Sequence, residues 1–121
     1  MAKILVIDDE LNITELVKLY LNRESFSVET AHNGKDGLAT LAAVRPDLVI
    51  LDIKLKNECG LDLLQKIVKE RHDMPVILST AFSCYKDDFS AWLADGYVVK
   101  SSDPQELKDE INRVLAKKRK R

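Results

Sequence analysis

The chain has 121 residues, 45% hydrophobic and 32% charged, with a formal net charge of −1. That is enough for one folded domain with one core and too little for two, and it excludes a wholly disordered chain. The longest apolar runs, Ile4 to Ile7 and Leu48 to Leu51, fall far short of the ~20 residues that a membrane span needs.

Charge is unevenly spread. Residues 117–121 are all basic, leaving 14 basic against 20 acidic residues in the rest, a net charge of −6. An acidic body argues against a nucleic-acid-binding face on the domain, and a five-residue basic end reads as a solvated helix terminus or linker stub. Lys3 leads straight into a strand-like run and then three acids, unlike a secretory leader, so the cytoplasm is the expected compartment. Cys59 and Cys84 lack CxxC spacing and read as plain buried or half-buried thiols; a redox link between them needs Cα atoms within about 7 Å. His32 and His72, far apart, read as ordinary surface or loop residues.

Two periodicities alternate along the chain. Residues 3–7 form a β-favouring run, as expected of a strand buried on both faces. Ile13, Leu16, Val17 and Tyr20 then recur at helical spacing. Ser27 to Ala31 predicts a strand, Asn33-Gly34 a turn, and Leu38, Leu41 and Ala42 a helix ended near Arg45-Pro46. Leu48 to Leu51 is a buried strand, followed by a polar loop from Asp52 to Gly60 and a helix carrying Leu63, Leu64, Ile67 and Val68. Pro75 to Ser79 predicts a fourth strand, Tyr85, Phe89, Trp92 and Leu93 a helical stripe, and Tyr97 to Val99 a fifth strand. The last helix has Asp103 as its cap, Pro104 at its first position and Glu106 three residues after the cap. Five such βα units with short links predict an α/β fold: a doubly wound, five-stranded parallel sheet with helices on both faces, its ligands at the carboxyl ends of the strands.

Polar residues gather at those ends. The first strand runs into Asp8, Asp9 and Glu10, the third into Asp52, the fourth into Ser79 and Thr80, and the fifth into Lys100. Carboxylates held together either raise their pKa values or bind a cation, and an all-oxygen donor set favours a hard ion, Mg²⁺ above all. A metal beside one ammonium and one hydroxyl suits phosphoryl chemistry.

These residues resemble the receiver domain of bacterial two-component response regulators over residues 2–116, with 117–121 left as a basic tail. The likeness rests on Asp8-Asp9, on Asp52 after Leu-Val-Ile-Leu, on Gly60 eight residues later, on Thr80-Ala81, and on Tyr97 three residues before Lys100. It implies a flavodoxin-like fold with strand order 2-1-3-4-5. It implies that Asp52 accepts a phosphoryl group from a sensor histidine kinase or phosphotransfer protein. Asp8, Asp9, Asp52 and the Lys54 backbone carbonyl would hold Mg²⁺, and Lys100 and Thr80 would contact the phosphoryl group. Thr80 and Tyr97 would then remodel the face of the fourth helix, fifth strand and fifth helix, where an effector domain or target docks. The chain would be a switch and not a turnover enzyme.

Lys56, Leu11 and Ser101 depart from the family's commonest residues, each standing where proline is frequent. Before Ser101 the costly cis bond is not expected, so the Lys100-Ser101 peptide is expected to be trans. A degenerate receiver used only for interaction, and a metal-dependent phosphohydrolase, are the rival readings. The hydrolase needs a second acid two residues after its nucleophile, where this chain has Lys54.

Overall fold

Strict alternation of buried side chains splits the core into two layers, one on each face of a parallel sheet. The computed structural model describes residues 2–55, 58–80, 93–99 and 104–119, with side chains for all of these except Thr80, Lys118 and Arg119. Its elements are β1 (Lys3–Ile7), α1 (Leu11–Arg23), β2 (Ser27–Ala31), α2 (Gly34–Val44), β3 (Leu48–Asp52), β4 (Lys54–Leu55), β5 (Glu58–Cys59), α3 (Gly60–Glu70), β6 (Val76–Thr80), β7 (Gly96–Val99) and α4 (Pro104–Arg119). The main sheet is parallel throughout, in the order β2-β1-β3-β6-β7. Counting only the strands of that sheet, this is the expected 2-1-3-4-5.

One layer takes Leu5, Ile7, Val49, Leu51, Val76 and Leu78 from the strands and packs them on Leu41 of α2 and Leu61, Leu64 and Ile67 of α3. The other takes Ile4, Val6, Leu48, Ile50 and Ile77 and packs them on Leu21 of α1 and Ile111 and Val114 of α4. Each fully buried Leu or Ile side chain contributes roughly 1.5–3 kcal/mol, so the central strands carry much of the stability. At β2 and β7, the two edges, exposure alternates or rises, as an edge strand requires.

Several boundaries differ from the sequence expectation for identifiable reasons. Asn33-Gly34 does not form a free turn. Asn33 caps α2, its side-chain oxygen accepting from the Asp36 N–H at 2.8 Å, and Gly34 opens the helix. The fourth strand starts at Val76, not Pro75, because proline has no N–H to give; its carbonyl accepts from Val49 N–H at 3.0 Å. The polar loop after β3 contains a small antiparallel ladder, Lys54 opposite Cys59 and Leu55 opposite Glu58. Helix α4 runs to Arg119, so the basic run begins as helix, in keeping with the helix propensity of Lys and Arg. The helix expected from Tyr85, Phe89 and Trp92 lies outside the described residues, as do Cys84, Lys100, Ser101 and the Asp103 cap; Leu93 is exposed. Among the described residues, no helix is long and apolar enough to cross a membrane.

Candidate functional site

Strand register determines which polar residues meet. β1 and β3 pair with Ile7 opposite Leu51, and one further step along the same register brings Asp8 beside Asp52. Both continue the even-numbered series of their strands, Ile4-Val6 and Leu48-Ile50, and therefore start from the same face of the sheet. Asp52 in turn lies opposite Ser79 of β6, with Thr80 the next residue and the end of that strand.

The three carboxylates expected to form a site do come together. One oxygen from each of Asp8, Asp9 and Asp52 lies within 4.8 Å of the others, with Asp8 and Asp52 buried and Asp9 half-buried. Unit charges that far apart repel by roughly 3–4 kcal/mol at an effective dielectric near 20. Backbone amides offset part of this: Glu10 N–H donates to Asp8 Oδ1 at 3.0 Å and Lys54 N–H to Asp52 Oδ1 at 3.3 Å. The second bond folds the chain back at Ile53 and brings the Lys54 backbone round to the acidic group. Three carboxylate oxygens in one cluster fit a hard divalent cation, whose charge would offset their repulsion.

Gly60 lets the loop after β3 close beneath this cluster. Its N–H donates to Ile53 O at 2.6 Å, and a Cβ there would lie 2.7 Å from Ile53 Cα and 2.8 Å from Ile53 O, closer still to the Asp52 carbonyl oxygen. A similar opening at Gly34 admits the Glu58 side chain over the start of α2, where a helix N-terminus favours a carboxylate.

One contact between α1 and the loop after β2 was not evident from sequence. Thr14 of α1 is fully buried; its hydroxyl donates to Leu11 O at 2.9 Å and lies 3.4 Å from His32 Nε2. His32 lies in the loop after β2, as expected, and is half-buried there, joining the end of β2 to the first turn of α1. His72 is exposed, as expected. The reading of Cys59 needs correction: the thiol is exposed, because Cys59 sits at the N-cap of α3 and its side chain turns away from the core. It makes no side-chain cap bond. Cys59→Ser supplies an oxygen acceptor without adding charge near the acids, and is expected to raise stability by roughly 0.5–1 kcal/mol. A urea midpoint that rises with an unchanged slope checks this; an unmoved midpoint refutes it.

A parallel 2-1-3-4-5 sheet with three acids at the ends of its first and third strands is the arrangement that the sequence resemblance implied. The family model of the response regulator receiver domain matches residues 4–112. The chain belongs to that family. This receiver domain is 44% identical to the response regulator TrrA of Thermotoga maritima, solved in complex with Mg²⁺ and beryllium fluoride; the match has a TM-score of 0.90 and covers 94% of this chain and 99% of that one. TrrA has also been solved with the histidine kinase ThkA, matching at a TM-score of 0.89 over 95% of this chain. The receiver domain is 35% identical over 117 residues to the response regulator ArlR of Staphylococcus aureus, covering 95% of this chain and 53% of that protein. It thus spans about half the length of the curated relatives it matches. Its place is in two-component signalling.

Proposed function

We propose that this domain is a phosphorylation-activated switch in which Asp52 accepts a phosphoryl group from a sensor histidine kinase or a phosphotransfer protein. The observation that carries this reading is the convergence of Asp8, Asp9 and Asp52 at the carboxyl edge of a receiver sheet. Likeness to TrrA, which has been solved in complex with the histidine kinase ThkA, supports a kinase as the donor.

Each role is the one that the family resemblance assigns to that position. An Asp52 carboxylate oxygen bonds to phosphorus as the bond to the donor's imidazole nitrogen breaks, leaving an aspartyl phosphate. Asp8, Asp9, Asp52 and the backbone carbonyl of Lys54 are the groups that would hold Mg²⁺. When bound, that ion neutralises charge on the transferring phosphoryl group. Lys100 follows β7 and is assigned the ion pair to the phosphoryl oxygens; the Thr80 hydroxyl, at the end of β6, is assigned a hydrogen bond to them. Tyr97 in β7 is assigned the second half of the switch, passing the change to a downstream effector domain or target. The cytoplasmic location expected from the sequence goes with this reading.

Labelling with radioactive acetyl phosphate, with and without Mg²⁺, tests the proposal. Stable, acid-resistant and alkali-labile label that requires Mg²⁺ supports it. Multiple turnovers would point instead to a phosphohydrolase, and no label to an interaction module.

Phosphoryl lifetime gives a finer test. Lys54, exposed, and Phe82 stand two residues after Asp52 and Thr80. Neither an ammonium nor a phenyl ring can orient an attacking water as a carboxamide or carboxylate does. Self-dephosphorylation is therefore expected to be slow, and the double variant Lys54→Asn with Phe82→Glu is expected to lose its label several-fold faster. A variant slower than the unmodified chain would refute this.

A further inference from the structure

Among the described residues, a side chain from α4 reaches the outer edge of β7. Tyr97 N–H donates to Glu110 Oε2 at 3.0 Å, so an edge-strand donor is satisfied by a carboxylate. Glu110 is itself held: Arg113 Nε donates to its Oε1 at 2.6 Å and Arg113 Nη2 to its Oε2 at 3.0 Å. The same Nη2 donates to Asp95 O at 3.0 Å, at the entry to β7. Asp95 is fixed in turn against β6, its carboxylate accepting from Val76 N–H at 3.1 Å and its own N–H donating to Val76 O at 2.8 Å. Gly96 makes the approach possible: a Cβ there would fall 2.7 Å from Glu110 Oε2. The Arg113 hydrogen bond holds the Glu110 carboxyl below the usual carboxylate range, so it stays an ionised acceptor at neutral pH.

These contacts fasten the backbone of Tyr97 to a helix that is itself anchored in the core through Ile111 and Val114. We propose that Glu110 is a positioning residue for the switch, locking Tyr97 to α4 so that a change at Tyr97 and a shift of α4 occur as one movement. This rests on the phosphoacceptor reading above. Without the clamp, β7 answers to the phosphorylated site alone and the surface of α4 is left uninformed.

The test uses the full ¹⁵N-labelled chain with and without Mg²⁺ and beryllium fluoride. In the unmodified chain, amide resonances of both β7 and α4 are expected to shift on addition. In Glu110→Ala the β7 shifts should persist while those of α4 fall by half or more, and Tyr97 amide exchange should quicken about tenfold or more, as loss of a charge-assisted bond requires. Glu110→Gln keeps an acceptor oxygen and should retain the coupling. Arg113→Met, a change at a half-exposed position, should weaken it in the same direction if Glu110→Ala does not fold. A purely structural Glu110 would lower stability and leave the two responses joined; full α4 shifts in Glu110→Ala, or unchanged Tyr97 exchange, overturn the proposal. Absence of any shift around Asp52 in the unmodified chain would instead overturn the phosphoacceptor reading, and Tyr97 exchange would still report on the clamp itself.

Discussion

Asp52→Asn is expected to reduce phosphate incorporation from acetyl phosphate to background while the fold survives. Asparagine keeps the shape of the side chain and can still accept the Lys54 N–H bond at one oxygen, but its amide is no nucleophile toward phosphorus. The change also removes one of three anionic oxygens that lie within 4.8 Å of one another. Two effects of opposite sign follow. In metal-free buffer the variant loses a like-charge repulsion and should be as stable as the unmodified chain or more stable, by about 1 kcal/mol after screening. With Mg²⁺ present the order should reverse, because an ion that binds only the folded state stabilises it by an amount that grows with its concentration over the dissociation constant. The affinity itself should fall by at least about tenfold when a charged oxygen is lost from the donor set. Urea unfolding at several Mg²⁺ concentrations separates the two effects. Retained label in Asp52→Asn would mean that the acceptor lies elsewhere, and equal Mg²⁺ stabilisation of both chains would remove Asp52 from the metal site.

That site was legible in the sequence because its residues come directly after the strands. An apolar run marks a strand wherever it is buried on both faces, and the residue that ends the run must emerge at the sheet's edge. β1, β3 and their acids were therefore placed correctly from the pattern alone, and the parallel sheet followed from the alternation of strands and helices. The strand order did not follow: no local signal orders parallel strands, and it came from family likeness. Local geometry after β3 was equally hidden, since two-residue strands such as Lys54–Leu55 and Glu58–Cys59 carry no periodicity. Cys59 was misjudged because a cysteine's usual preference for burial yields to its position at a helix cap. Thr14 and His32, and likewise Glu110 and Tyr97, make contacts across 18 and 13 residues of sequence. Nothing in one chain's composition joins such pairs; only the packing of α1 on β2, and of α4 on β7, brings them together.

Gly60→Ala is expected to destabilise the domain and weaken its hold on Mg²⁺ through one cause. Alanine is the better helix former by about 1 kcal/mol, and position 60 is the first residue of α3, so propensity alone predicts a small gain. Sterics oppose it. The added Cβ would meet Ile53 Cα at 2.7 Å and Ile53 O at 2.8 Å, with the Asp52 carbonyl oxygen nearer still. All three atoms are backbone and cannot rotate aside, so the segment from Asp52 to Gly60 must move, at a cost of roughly 1–3 kcal/mol or more. The steric cost exceeds the propensity gain, and the net expectation is a loss of about 1–2 kcal/mol, read as a lower urea midpoint. Because the displaced segment includes the Lys54 backbone and carries the Asp52 carboxylate, Mg²⁺ affinity should fall with it. Gly34→Ala is the control: its Cβ would meet only the tip of the Glu58 side chain, which can swing into solvent, so that variant should lie within about 0.5 kcal/mol of the unmodified chain. Equal midpoints for Gly60→Ala and Gly34→Ala would mean that the loop beneath Asp52 gives way freely, and that glycine at position 60 does not hold the acidic site in shape.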